Sequence, residues 1–194
     1  MRFATLTEAT MDEAQARVAA AIAGGPRGGD PTRGPFNLWL RAPELAERMQ
    51  RVGVYVRYET HLPRRLVELA ICMVAVEWGA AYEWYAHAPL ALEAGLDVEV
   101  LRALRERRTP LAAGEAERAV LAFCGELHRD RRVSDATLTE ATRLFGEAGI
   151  AELVVTSGYY VAVSMTLNVA EVPLPEGAAP FSLPGEGSGS DPSR

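Results

Sequence analysis

The sequence predicts an all-α fold, on two observations that hold along most of the chain. Apolar residues recur at steps of three and four positions almost everywhere, which is the period of an amphipathic helix, and no convincing strand pattern is present. Glycine and proline separate these stretches where helices commonly end and begin. With 194 residues, 48% of them hydrophobic, the chain is long enough for one domain with a proper core.

Caps and breakers border each apolar stretch and give the helix boundaries. Gly24-Gly25 ends the first helix, and Pro63 stands in the first turn of the third, where its missing N–H is tolerated. Gly95 ends the fourth helix, Asp97 caps the fifth, and Gly149 is expected to separate the last two. The predicted helices span about 7–23, 43–59, 62–77, 81–94, 98–107, 113–129, 134–148 and 150–172.

Three parts of the chain differ in composition. Residues 1–35 hold the first helix and a loop rich in glycine and proline, and residues 36–172 hold the remaining helices. From 173 to 194 the chain is rich in proline, glycine and serine. We therefore expect a disordered tail over 173–194, with residues 185–194 having no role in the fold.

Charge and hydropathy restrict the class of partner. The net charge of −6 and the isoelectric point near 5.2 leave no basic surface for nucleic acid, and the N-terminus lacks the apolar segment of a secretory signal. Residues 153–170 are uncharged but too polar for a lone membrane span, which favours a buried helix. Cys72 and Cys124 lie in apolar helical patterns, typical of buried reduced thiols. We expect a cytoplasmic protein with no nucleic-acid or membrane partner.

Glu68 interrupts an otherwise apolar helix. Burying a carboxylate is unfavourable unless it is paired or used, so Glu68 is either a functional residue or an ion-pair partner of Arg64, Arg65 or a more distant arginine. A weak echo of its surroundings occurs later in the chain, where Glu152 also stands early in a long apolar helix. Two similar helices packed about a pseudo-twofold axis would explain the echo.

Glu83 and His87 lie four residues apart on the predicted fourth helix and therefore share one face. This helix follows the helix of Glu68 after one short turn, and aromatic side chains surround the pair in sequence. A histidine with a carboxylate behind it can accept and return a proton near neutral pH. Glu68, Glu83 and His87 are therefore the candidate catalytic residues.

Other chemistry-bearing patterns are weaker. His61 precedes a helix start and His128 stands in a charged helix end, so both are expected at the surface. Glu-x3-His departs from the repeated Glu-x2-His of helical di-metal sites, and we expect no metal. The glycines of residues 24–34 follow no strand and precede no Lys-Ser/Thr pair, so no phosphate-binding loop is indicated. No cofactor is expected.

A family resemblance is carried by motifs spread over roughly residues 33–172. They are Leu62-Pro63-Arg64-Arg65, Glu68-Leu69-Ala70-Ile71, Tyr82-Glu83-Trp84, His87 and Ala91-Leu92-Glu93-Ala94-Gly95-Leu96, with Gly34-Pro35-Phe36-Asn37-Leu38 upstream and Glu152-Leu153, Tyr160 and Leu167-Asn168 downstream. This set resembles the carboxymuconolactone decarboxylase family, which includes the alkylhydroperoxidase D-like proteins. The resemblance implies an alkylhydroperoxidase D-like helical bundle over 36–172, assembled as a homo-oligomer, either trimer or hexamer.

The resemblance also bears on the chemistry. The redox branch of the family uses Glu-x11-Cys-x2-Cys-x3-His, and here the frame reads Glu68-x11-Ala80-x2-Glu83-x3-His87, so both cysteines are missing. Without a vicinal dithiol, hydroperoxide reduction by the thiol route is not expected. The decarboxylase branch lacks the cysteines, and its likeness implies loss of carbon dioxide from a small cyclic lactone acid. His87 would be the acid–base group, and Glu68 or Glu83 would fix its tautomer or shuttle the proton.

By the same resemblance, an arginine would hold a substrate carboxylate. Arg33 precedes the Gly-Pro-Phe-Asn segment and Arg57 interrupts an apolar helix, so both are candidates. Tyr82 and Trp84 are the further candidate substrate-binding residues. The substrate itself is not implied beyond a small organic acid or lactone.

Three hypotheses about function remain open at this point. The first is a cofactor-free lyase or isomerase acting on a small carboxylated lactone or related acid. The second is a non-catalytic helical oligomer that binds a small ligand. The third, disfavoured by the missing pair, is an oxidoreductase that uses Cys72 or Cys124.

Overall fold

The computed structural model describes residues 1–186, and within that range the protein has eight α-helices and no β-strand. The helices are α1 Glu13–Ala23, α2 Phe36–Trp39, α3 Pro43–Val54, α4 Arg64–Glu77, α5 Ala81–Glu93, α6 Val98–Arg105, α7 Glu115–Asp130 and α8 Asp135–Ala170. The all-α prediction is confirmed. Residues 187–194 of the predicted disordered tail lie outside the described residues.

The N-terminal helices differ from their predicted bounds. α1 begins at Glu13, because Asp12 and Gln15 form a capping box in which each side chain accepts a hydrogen bond from the backbone N–H of the other. The short helix α2 has too few residues to show a helical period and was not predicted. The predicted helix 43–59 is α-helical to Val54 and continues as a π-helical turn, Tyr55–Glu59.

Helix α4 is the centre of the fold and packs against α5, α7 and α8. Every residue from Leu66 to Ala75 is buried, as expected for a helix that is apolar on all sides. Glu68 lies inside this run. The position of α4 therefore forces a carboxylate into the core.

A tight connection holds α5 against α4. Between the two helices, Gly79 adopts a φ of +58°, a left-handed conformation that other residues adopt only with strain. A connection this short makes α4 and α5 antiparallel neighbours, and they contact each other extensively. The face of α5 that carries Glu83 and His87 thereby meets the buried part of α4.

Helix α8 is broken at Gly146 rather than at Gly149. Gly146 has a φ of +67° inside the helix, whereas Gly149 is helical and buried, and a Cβ there would lie 2.6 Å from Cβ of Phe145. Gly149 thus serves close packing and does not end a helix. Among the described residues, α8 is also the one helix long and apolar enough to span a membrane by length and composition, and half of that window is buried inside the protein.

The segment after α8 corrects the expectation of a disordered tail as far as residue 186. Leu183 is 3% exposed and belongs to the hydrophobic core. The carbonyl oxygen of Ser182 accepts a hydrogen bond from Nε1 of Trp84 at 2.9 Å, and the ring of Phe181 lies 5.8 Å from that indole. Arg105 pairs with Glu186 at 2.5 Å. A few apolar residues hold this segment in place despite its many prolines and glycines.

Truncating Leu183 tests whether the tail contributes to stability. Leu183→Ala should lower the free energy of unfolding by about 2–5 kcal/mol, because a buried aliphatic side chain is removed. Leu111 is 92% exposed, so Leu111→Ala is the matched control, with an expected change within about 0.5 kcal/mol. Urea denaturation measures both. Equal stability of the two variants would mean that the tail does not pack in solution.

Candidate functional site

Glu68 and His87 meet in the core between α4 and α5. Oε2 of Glu68 lies 2.7 Å from Nδ1 of His87, within hydrogen-bond distance. The residues are only 2% and 4% exposed. They stand on different helices, so the antiparallel packing of α4 and α5 brings them together.

Glu83 approaches the same imidazole from its own helix. Its Oε1 lies 3.0 Å from Nε2 of His87, and Glu83 is 3% exposed. The ring therefore has a carboxylate at each nitrogen, and we name these three residues the Glu–His–Glu triad. The structure thus brings together the three candidate catalytic residues.

The triad stabilises a positive charge on His87. Burial by itself would lower the pKa of His87, but the charge of Glu83, the hydrogen bonds with Glu68 and Glu83, and the charge of Glu68 together raise it above its ordinary value. The imidazolium then donates from Nδ1 to Glu68. With two carboxylates and one imidazolium, the triad has a formal charge of −1, and a buried negative charge calls for a further cation.

Arg57, on the π-helical turn, is one such cation, and Arg64, whose Nε lies 3.8 Å from Oε1 of Glu68, is another. The guanidinium of Arg57 lies over the ring of Tyr58, 5.0 Å from the centroid. Burial acts to lower the pKa of Arg57, but Tyr160, Tyr58, Glu68 and Glu83 raise it through their charge interactions. Of the two arginines considered from the sequence, Arg57 is therefore the one at the triad.

Two tyrosines of α8 border the triad. The edge of Tyr160 meets the ring of His87 with centroids 5.1 Å apart, and Tyr159 contacts Tyr160 at 5.2 Å. Burial raises the pKa of Tyr159 to about 12 and that of Tyr160 well above its ordinary value, so both hydroxyls keep their protons. Sequence reasoning did not select them as site residues, because nothing local distinguishes them from core aromatics.

Tyr82 and Arg33 lie at the edge of this region. Tyr82 is half-buried, and its burial, opposed by the charge of Arg33, raises its pKa. Gly34 lies against this ring, since a Cβ there would be in van der Waals contact with Cε1 of Tyr82, at 3.4 Å. Arg33 itself is exposed and pairs with Asp30 at 3.5 Å. As a substrate contact, Arg33 would have to act from the surface.

Trp84 has a packing role in place of the expected role in substrate binding. The indole is fully buried, and its N–H is already bonded to the carbonyl of Ser182. It also contacts Phe181. Trp84 thus holds the C-terminal segment against α5.

The sequence left open that Glu68 serves only as an ion-pair partner of one of its neighbours in sequence, Arg64 or Arg65. Nε of Arg64 lies 3.8 Å from Oε1 of Glu68, a long contact made by a half-exposed side chain. Arg65 pairs instead with Glu117 at 3.2 Å. His87 is therefore the nearest partner of Glu68, and Arg64 is a secondary one.

The structure has a further buried carboxylate, Glu152, which the sequence indicated only through the weak internal repeat of the surroundings of Glu68. Glu152 accepts hydrogen bonds from the hydroxyl of Tyr55 at 3.0 Å and from Nδ1 of His61 at 2.9 Å. The backbone N–H of His61 also donates to it. The side chain of His61 is 81% exposed, as expected, and Glu152 fixes the loop before α4.

Neither thiol has the environment of a reactive cysteine. Cys72 is fully buried, and burial raises its pKa well above the ordinary value. Burial also raises the pKa of Cys124 to about 11, and its Sγ lies 3.6 Å from Oγ of Ser157. The thiolate is the reactive form, so both cysteines are poor nucleophiles. Within residues 1–186, no group of three or more His, Cys, Asp or Glu is arranged to hold a metal ion.

The buried imidazolium should make stability depend on pH. Because the pKa of His87 is higher in the folded chain, its contribution is fully present below the unfolded value of about 6.5 and is lost as pH rises through the folded pKa. We expect the free energy of unfolding of the wild type to fall over that range relative to His87→Gln. Denaturant titrations at several pH values measure the difference. A pH-independent difference would show that His87 is not charged in the folded protein.

Comparison with known proteins agrees with this geometry. The sequence model of the carboxymuconolactone decarboxylase family matches residues 43–125, slightly less than half of the chain. No curated protein matches the chain. The matched segment runs from α3 into α7 and contains the whole triad, whereas Tyr159 and Tyr160 lie beyond it. Over residues 43–125 the chain is thus similar to the carboxymuconolactone decarboxylase family, with Ala80 and Glu83 at the positions of the cysteines of its redox branch.

Proposed function

We propose that this protein is a cofactor-free lyase or isomerase that performs acid–base chemistry on a small carboxylated lactone or related organic acid. The observation that carries the proposal is the imidazole of His87, buried with a carboxylate at each ring nitrogen. A proton held there is available near neutral pH, and the similarity of residues 43–125 to the carboxymuconolactone decarboxylase family supports such chemistry.

The triad gives each residue a distinct role in a decarboxylation. The bond between the substrate carboxylate and its neighbouring carbon breaks, carbon dioxide leaves, and the electron pair remains as an enolate. His87 then delivers a proton from Nε2 to that carbon, directly or through Glu83, and solvent restores the imidazolium. Glu68, bonded to Nδ1, keeps the ring oriented throughout. An isomerase would use the same groups to remove one proton and return another.

Arg57 is the residue that would hold the substrate carboxylate. Arg57 is half-buried, and its charge interacts with those of Glu68 and Glu83. A cation at this place can bind an anionic group and orient it toward His87. Tyr82, half-buried beside Glu83, would line the entrance.

Homo-oligomer formation is part of the proposal. Helix α8 exposes large apolar side chains, which on an isolated protomer would face water. These residues are Val154, Val155, Met165 and Val169. A second copy of the chain that covers them would leave the triad inside the protomer.

Replacing His87 tests the acid–base role. Muconolactones and keto acids would be incubated with the protein in deuterium oxide. Proton NMR would follow the conversion of each acid to its decarboxylated product and the incorporation of deuterium. His87→Gln should lower the rate by about 10²–10⁴-fold, because the proton-transfer group is removed. His128→Gln, on α7 and outside the triad, is the matched control and should keep the wild-type rate.

The outcomes of this experiment separate the hypotheses. An unchanged rate in His87→Gln would remove His87 from the mechanism. Binding of these acids by the wild type without any turnover would favour the non-catalytic oligomer.

Thiol reactivity tests the redox alternative. We expect Cys72 and Cys124 in the folded protein to react with iodoacetamide far more slowly than in urea, because both are buried and have raised pKa values. Mass spectrometry of the labelled protein gives the rates. Rapid labelling of either thiol without denaturant, together with peroxide consumption, would revive the oxidoreductase hypothesis.

A further inference from the structure

Three buried hydrogen-bond donors beside the triad have no partner. They are Nε of Arg57 and the hydroxyls of Tyr159 and Tyr160, and among the described residues none of these atoms makes a hydrogen bond. Folded proteins rarely leave buried polar groups unpaired, because the lost hydration is not recovered. These donors are three of the six unpaired buried side-chain atoms among the described residues, the others being on His128, Thr156 and Ser164. Three such donors on side chains that contact or interact with the triad point to a group that they bind.

The donors are grouped around the imidazole. The ring of Tyr160 contacts His87 and Tyr159, and the positive charge of Arg57 acts on the hydroxyls of both tyrosines. On the far side, Gly53 of α3 makes room for Tyr159, since a Cβ there would overlap the hydroxyl. The absence of a side chain at Gly53 thus lets the hydroxyl of Tyr159 lie against the backbone of α3.

The charges of the region favour an anion. The carboxylates of Glu68 and Glu83 face three cations, which are the imidazolium of His87, Arg57 and, at 3.8 Å from Glu68, Arg64. Arg27 adds one positive charge: it interacts with both tyrosines, and its Nη2 would lie 3.3 Å from a Cβ at position 53. Its guanidinium lies over an aromatic ring, that of Phe36, at 4.8 Å. The cations of the region therefore outnumber its carboxylates, which suits a negatively charged ligand.

We propose that the hydroxyls of Tyr159 and Tyr160, together with the Nε–H of Arg57, form an oxyanion site that binds the enolate oxygen of the reacting substrate beside His87. The inference rests on the proposed function and deepens it by naming the substrate class. The substrate must be an acid with a carbonyl group β to the departing carboxylate, or conjugated to that position. The electron pair released with carbon dioxide then moves onto the carbonyl oxygen, which accepts hydrogen bonds from the donors, and His87 protonates the carbon.

A phenolate serves as a stable analogue of the enolate, because both have a planar carbon bearing a charged oxygen. The probe is 4-nitrophenol, added to the whole protein at a pH below its solution pKa. Binding at an oxyanion site should ionise it and raise the phenolate absorbance band. Tyr159→Phe and Tyr160→Phe should each weaken phenolate binding by about 10- to 100-fold, the effect of one hydrogen bond to a charged group.

The exposed Tyr85 on α5 provides the matched control, and Tyr85→Phe should bind the probe as the wild type does. Thermal unfolding separates a binding role from a structural one. Since each hydroxyl is unpaired, Tyr159→Phe and Tyr160→Phe should unfold at or above the wild-type temperature. A lower unfolding temperature would mean that the hydroxyls make structural hydrogen bonds, and the oxyanion site would be withdrawn.

Two further outcomes would overturn the inference. One is a wild-type protein that leaves the ionisation of 4-nitrophenol unchanged, and the other is equal binding by wild type and both tyrosine variants. The His87→Gln background distinguishes failure here from failure of the proposed function. In that background, Tyr160→Phe should still weaken the binding of 4-nitrophenolate, even though proton transfer by His87 is lost. Tyrosine-dependent binding without turnover of any acid would keep the oxyanion site and reject the lyase.

Discussion

A carboxylate buried at the centre of α4 is the constraint on which the rest of the site depends. Glu68 cannot reach water, because the helix around it is enclosed by α5, α7 and α8. Its charge must be met inside the protein, and His87 meets it at 2.7 Å. The imidazolium is then shared with Glu83, and the negative charge that remains on the triad is met by Arg57 and Arg64. The packing of α5 on α4 and the charge balance of the site therefore depend on each other, because a displacement of either helix would leave the buried carboxylate of Glu68 without His87 as its partner.

Much of the fold and the core of the site could be predicted because the signals are local. An apolar run broken by one glutamate marks Glu68, and the four-residue step from Glu83 to His87 fixes their common face. Helix boundaries followed glycine and proline closely over α4 and α5. Gly149 shows the limit of that rule, because a glycine chosen for close packing looks the same in sequence as one that ends a helix.

What the sequence did not reveal depends on contacts between distant segments. The composition after residue 173 favoured disorder. In the folded chain, however, Leu183 is buried in the core, and the carbonyl oxygen of Ser182 accepts a hydrogen bond from Trp84. Tyr159 and Tyr160 read as ordinary core aromatics until their hydroxyls prove to lack partners. Likewise, Arg57 is distinguished from other arginines by the turn that carries it, which no local pattern indicated.

The π-helical turn Tyr55–Glu59 connects the Glu–His–Glu triad with a further buried carboxylate, Glu152. From it, Tyr55 reaches Glu152 and Arg57 reaches the triad, so one short segment serves both. A π-helical turn holds one residue more than the α-helical repeat, and each residue turns an α-helix by about 100°. Deleting a single residue here would restore α-helical register and rotate Arg57 away from His87. The number of residues in this segment, and not only their identity, therefore helps to specify the site. A deletion there would remove Arg57 from the site without altering a triad residue.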